Sequence, residues 1–244
     1  MGKDVEILSI QSCFGRNVFS HKPIIKMTID INDLYKSPTG NIEGFNGKLI
    51  ELLPGLLKHC CSAGYEGGFI ERLLEGTYMP HVIEHIILEL QYAMGYDIRF
   101  GKTRVFLEPS IYNIIFEYSN ERCGMECAKT AVYIVNCLVR NKAFDMEDVL
   151  LNLKKTSIES ELGPSAKAIF DEAKKRGIPV TRLGNESLIR LEYGKYSRLL
   201  EASLTDYPSC IAVDIASNKH LTKQLLSDND IPVPYGDIAY TEQS

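Results

Sequence analysis

"HVIEHIILELQ", residues 81–91, is the stretch on which the reading of the fold turns. Val82, Ile83, Ile86, Ile87, Leu88 and Leu90 make it apolar around most of its circumference, so it predicts a helix buried in a core. Into that run the chain puts His81, Glu84 and His85, although it holds only 5 histidines in 244 residues. Residues four apart on a helix point the same way, so His81 and His85 can grip one ion, with Glu84 at a neighbouring angle.

The helix runs over 81–94, with Thr77 placed to cap it, Pro80 in its first turn and Gly95 to close it. Upstream, "FNGKLIELLPGLLKHCC" (45–61) has helical spacing interrupted at Pro54, and "FIERLLEG" (69–76) is a short helical piece. "DVEILSIQSCF" (4–14) and "KPIIKMTIDI" (22–31) alternate as two strands. "RFGKTRVFLEP" (99–109) and "SIYNIIFEY" (110–118) form another pair, and "ERCGMECAKTAVYIVNCLVRN" (121–141) a further helix. This is an α+β domain with helices over a mostly antiparallel sheet. The polar helix within 142–161 marks a boundary near residue 160. Beyond it the helix in "GPSAKAIFDEAKKRGIPVTRL", the hairpin "SLIRLEYGKYSRLLEASL", a strand "CIAVDIA" (210–216) and the helix "NKHLTKQLLSDND" alternate as in a small α/β lobe.

Composition narrows the partners. A net charge of −5 leaves no basic surplus for nucleic acid. Seven cysteines with Cys60 beside Cys61 read as reduced thiols. Absence of a signal sequence or membrane-length apolar run implies a cytoplasmic protein with no membrane partner. Met1-Gly2 echoes a lipidation signal but lacks the hydroxyl residue it requires.

The H-x-x-E-H pattern suits zinc: neutral imidazoles hold the ion, and the glutamate takes a proton from the attacking water. The competing reading makes both histidines hydrogen-bonded core residues. A buried carboxylate beside two imidazoles needs a partner or an ion to offset desolvation, which favours the metal. The third ligand is expected at Glu121, at a helix start, with Glu117, Glu71 and Glu126 as rivals and His59, Cys60 and Cys61 also available. Glu89 is placed to orient a ligand. Arg72, Lys102 and Arg104 are candidates for binding substrate carboxylates.

"GRNVFS" (15–20), the long stretch from Gly44 to Gln91, "FGKTR" (100–104), "YNIIFEY" (112–118) and "LGPSAKAIFDEAKKRGIPV" (162–180) closely resemble the N-terminal region of cyanophycin synthetases. Those enzymes join aspartate and arginine into multi-L-arginyl-poly-L-aspartate at the expense of ATP. The resemblance implies that residues 1–160 are the family's N-terminal domain, which binds the polymer and in some members, metallopeptidase-like, cuts it to make primers. It implies that 161–244 are the first lobe of an ATP-grasp domain, with Ser165 and Asp214 as polymer contacts, and that the protein forms homo-oligomers. ATP and Mg belong to a longer relative, since no G-x-x-x-x-G-K-[ST] loop and no later ATP-grasp lobes occur; the chain is expected to be a shortened form. Three functions follow as expectations: a zinc-dependent hydrolase of cyanophycin, a non-catalytic anchor for the polymer, or an assembly module of an ATP-dependent ligase.

Overall fold

The computed structural model describes residues 4–61, 64–184, 187–236 and 239. Met1 and Gly2, read above for lipidation, lie outside them. The chain forms two compact units, Met1–Glu161 and Leu162–Ser244.

The first unit is α+β. Strands β1 (Glu6–Cys13) and β2 (Ile24–Asp30) precede helices α1 (Phe45–Leu52), α2 (Gly68–Glu75) and α3 (Met79–Ala93). Strands β3 (Gly101–Leu107) and β4 (Ile111–Glu117) follow, then α4 (Glu121–Val139) and α5 (Met146–Glu159). The sheet is antiparallel throughout, in the order β1-β2-β4-β3. Ile25, Met27 and Ile29 of β2 and Ile114 and Phe116 of β4 are buried in one cluster with the apolar residues of α1 to α4. Period-2 alternation in the strands and period-3.6 repetition in the helices meet in that single core.

Helix α3 sits at its centre, with every residue from Val82 to Gln91 buried. Burial of a continuous apolar run on all sides is what its composition demands. Two local expectations changed form. The helix begun at Phe45 stops at Leu52 and resumes as a 3-10 turn over Pro54–Lys58, because proline cannot supply the amide that would continue it. Thr77 does not cap α3; its N-cap position is Tyr78, without a side-chain cap. The Thr77 hydroxyl is instead engaged by His81 Nδ1 at 3.1 Å.

The second unit holds helix α6 (Pro164–Lys175), strands β5 (Val180–Arg182), β6 (Leu188–Leu191), β7 (Arg198–Glu201) and β8 (Leu204–Thr205), and helices α7 (Cys210–Ser217) and α8 (Lys219–Asp228). Its strands make a second antiparallel sheet, ordered β5-β6-β7-β8, in place of the alternating α/β pattern expected. "CIAVDIA" is helix α7 and no strand. A short apolar run has no periodicity that separates strand from helix, and here local capping decides. The Ser209 hydroxyl accepts from the Ala212 amide, starting one helix, and Asn218 accepts from Leu221, starting the next. No helix among the described residues is long and apolar enough to cross a membrane.

Candidate metal centre

The first turns of α3 carry His81 and His85 on one side of the helix, their ring centroids 4.8 Å apart. The chain between α1 and α2 passes over this side. It delivers His59, just after the 3-10 turn, and Cys61, beyond the isolated bridge of Cys60 with Glu66. Phe69 of α2 stacks on the His85 ring at 4.0 Å and closes the apolar wall.

Cys61 Sγ and one ring nitrogen from each of His81 and His85 all lie within 4.8 Å of one another. Among the described residues this is the group of metal-ligating side chains that converges. Cys61 Sγ stands 3.2 Å from His81 Nε2. A tetrahedral zinc with bonds of about 2.0–2.3 Å would space such donors by roughly 3.3–3.6 Å, so thiolate and imidazoles need only small adjustments to share one.

The surrounding hydrogen bonds assign which nitrogens can bind. His81 Nδ1 is engaged by Thr77, so Nε2, facing the sulfur, is its ligand atom. His59 Nε2 lies 3.0 Å from the Glu89 carboxylate, an acceptor, and therefore carries the proton. Its Nδ1 then accepts from His85 Nδ1–H, 2.9 Å away, which leaves the lone pair of His85 on Nε2. Glu89, expected to orient a ligand from one turn beyond His85, bonds His59, which in turn bonds His85. Gly55 makes room for it: a Cβ there would lie 1.8 Å from Glu89 Oε1.

Burial holds both rings neutral. His81 is lowered to about 4, first by desolvation and then by the Arg72 cation. His85 is lowered to about 2, by desolvation first, then by the charges of His81, His59 and Arg72. Neutral imidazole is the form that ligates. Glu84 is buried on the adjoining face of α3, where the Thr103 hydroxyl of β3 donates to its carboxylate at 2.6 Å. Burial raises its pKa and the Thr103 bond partly opposes that. Gly101 of β3 lies so close to Glu84 that a Cβ would approach within 2.8 Å of its carboxylate.

Glu121 is not at this site. It starts α4, and its carboxylate accepts from the Ser12 hydroxyl of β1. Its rivals are elsewhere too: Glu117 pairs with Lys22 at 2.9 Å, Glu71 accepts from Tyr65, and Glu126 pairs with Lys129. The third donor brought to the histidines is Cys61. A helix end favours carboxylates in general, but which helix end faces α3 is a tertiary matter. Arg72 joins the cluster, with Nη1 3.4 Å from Cys61 Sγ. Lys102 and Arg104 are exposed on β3, beside Thr103. In the second unit Ser165 is exposed in the first turn of α6, and Asp214 is exposed on α7.

Comparison with known proteins now adds to this geometry. Residues 26–140 match the model of the cyanophycin synthase-like N-terminal domain. This chain carries that domain. It is 37% identical over 237 residues to the cyanophycin synthetase of Crocosphaera subtropica, covering 95% of this chain and 27% of that protein. Against the cyanophycin synthetase of Trichormus variabilis it is 39% identical over 240 residues, 96% of this chain and 26% of the relative. With that of Geminocystis herdmanii the figures are 37% over 241 residues, 97% and 28%. The chain therefore spans about a quarter of the length of the curated relatives it matches. The cyanophycin synthase-like domain matched at 26–140 contains α3 and both histidines together with Cys61.

Proposed function

We propose that the first unit binds cyanophycin and hydrolyses its backbone in a zinc-dependent reaction that yields primers. Cys61, His81 and His85 hold the ion, and Glu84 is the general base. The observation that carries this reading is the convergence of a sulfur and two imidazole nitrogens, with each ring engaged through its other nitrogen. Zinc, when bound, supplies Lewis acidity towards a peptide carbonyl and a lowered pKa for water. The chain's residues do the rest. The raised pKa of buried Glu84 makes it a stronger base, and release of the Thr103 bond would free it to accept a proton. Phe69 excludes solvent from the His85 ring, and Arg72 sets a cation beside the Cys61 sulfur.

In this reading the fold is metallopeptidase-like, while 162–244 supply the first lobe of an ATP-grasp domain in which Ser165 and Asp214 meet the polymer. ATP and magnesium serve the longer relatives, and the protein is a cytoplasmic homo-oligomer. The test is zinc stoichiometry by elemental analysis together with release of soluble fragments from purified cyanophycin. One zinc per chain, cleavage by the native protein and none by Glu84→Gln are expected. A zinc-free chain that leaves the polymer intact would overturn the hydrolase.

A second reading makes the unit a non-catalytic polymer anchor. It is favoured by the Glu84 carboxylate being held by Thr103 and packed against Gly101. It predicts cyanophycin affinity that survives chelation and His81→Ala.

A further inference from the structure

Among the described residues, strand β3 forms one edge of the first sheet, hydrogen-bonded only to β4. The Glu117 amide donates to the Phe100 carbonyl at 3.0 Å, and the register continues from there as Lys102 with Ile115 and Arg104 with Asn113. In an antiparallel ladder the hydrogen-bonded pairs alternate, so Phe100, Lys102 and Arg104 spend their backbone groups on β4. Gly101 and Thr103 therefore turn their N–H and C=O groups outward, and Val105 its N–H, just ahead of the register shift between Val105 and Leu107. Among the described residues none of these three bonds a backbone group beyond the sheet.

This open row runs past the candidate base. Thr103 bonds the Glu84 carboxylate, and Gly101 lacks the side chain that would collide with it. The far end of the strand is apolar and uncovered, with Val105, Phe106 and Leu107 51%, 65% and 61% exposed. An exposed apolar edge strand invites pairing with another strand. Lys102 and Arg104 add two cations on one face, about 6.7 Å apart by strand geometry. In an extended polyaspartate chain alternate residues share a face at that same spacing, and each carries an arginine with a free carboxylate.

We infer that the edge of β3 is the docking ledge of the first unit, on which an extended stretch of the polymer backbone adds as a further strand beside Glu84, its arginyl carboxylates meeting Lys102 and Arg104. The inference rests on the proposed function for the identity of the polymer, and on the strand register for the place and manner of binding. Backbone addition explains how one site accepts a repetitive polymer in many registers: main-chain hydrogen bonds supply affinity without reading side-chain identity.

Val105→Pro removes an outward N–H without touching a β4 hydrogen bond, and proline is tolerated on an edge strand. Val105→Ala trims the side chain and keeps the N–H. Sedimentation of the full chain with purified cyanophycin is expected to show Val105→Pro binding about tenfold more weakly than Val105→Ala, the equivalent of one lost hydrogen bond. Equal affinities of the two folded variants would overturn the ledge. Amide hydrogen exchange of the native chain, with and without soluble cyanophycin fragments, decides it independently of any variant. Slowed exchange at Gly101, Thr103 and Val105 supports the ledge, and unchanged exchange there overturns it. Should the native chain bind the polymer yet leave it uncut, the hydrolase fails while the same affinity ratio still judges the ledge. If it does not bind at all, both fall.

Discussion

His59 and Glu89 show how far a ligand's chemistry extends from the ligand. His85 can offer Nε2 only if its Nδ1 keeps the proton, and it keeps the proton because His59 Nδ1 accepts a hydrogen bond from it; His59 in turn is held in that tautomer by Glu89. Glu89→Gln offers an amide that can donate to His59 and reverse the chain. Zinc affinity, measured by competition with a chromophoric chelator, should fall about 10- to 100-fold in His59→Ala and Glu89→Gln, with far-ultraviolet circular dichroism unchanged. An affinity equal to that of the native chain would detach these residues from the site. Acid should act on the same rings. An ordinary histidine is protonated below about pH 6.5, whereas burial holds His81 at about 4 and His85 at about 2. Below about pH 6.5 the unfolded chain takes up protons that the folded one refuses, so stability present above that pH is lost as pH falls towards 4. The thermal midpoint of chelator-treated protein should therefore drop between pH 7 and pH 5, and His81→Phe should flatten that drop. The convergence of His81 with His85 was legible in the spacing, since four residues is one turn. Cys61 and His59 were visible only as members of an open set, because "HCC" carries no periodic signal to say what it faces.

At the scale of elements, α3 and β3 are interdependent. Glu84 is buried against a strand that gives it one hydroxyl, at Thr103, and one vacancy, at Gly101. Gly101→Ala puts a methyl group within 2.8 Å of that carboxylate. Overpacking of this kind should cost about 1–3 kcal/mol in denaturant unfolding and should turn Glu84 away from Thr103. Cyanophycin cleavage should fall more steeply than stability, and a Gly101→Ala chain that unfolds at the native denaturant midpoint would show that the strand simply moves aside. The two strand pairs of the first unit and α3 were readable because each has a repeat long enough to declare its period. Helix α7 was not: "CIAVDIA" is short, β-branched and apolar, yet Ser209 and Asn218 terminate it as a helix. Its Ile211 is exposed.

At the scale of the molecule, the large hydrophobic cluster draws, among the described residues, on Val5 to Leu153, all within the first unit. An ion held by Cys61, His81 and His85 would stabilise that unit alone, by roughly 4 kcal/mol when free zinc exceeds its dissociation constant a thousandfold. Scanning calorimetry should accordingly show one transition that moves down on chelation and back on adding zinc, while any transition of the second unit stays in place. If no transition responds to zinc, the cluster holds no ion. By itself the sequence determined the α+β character of the first unit and the pairing of two imidazoles on a buried helix, because both follow from local repeats that every few residues restate. Only the tertiary structure decided that Cys61 and not Glu121 stands beside the two histidines, that His59 links Glu89 to His85, and that β3 lies at the sheet edge beside Glu84. Those facts depend on how segments tens of residues apart are brought together by a shared core, and no periodicity within a segment encodes its distant neighbour.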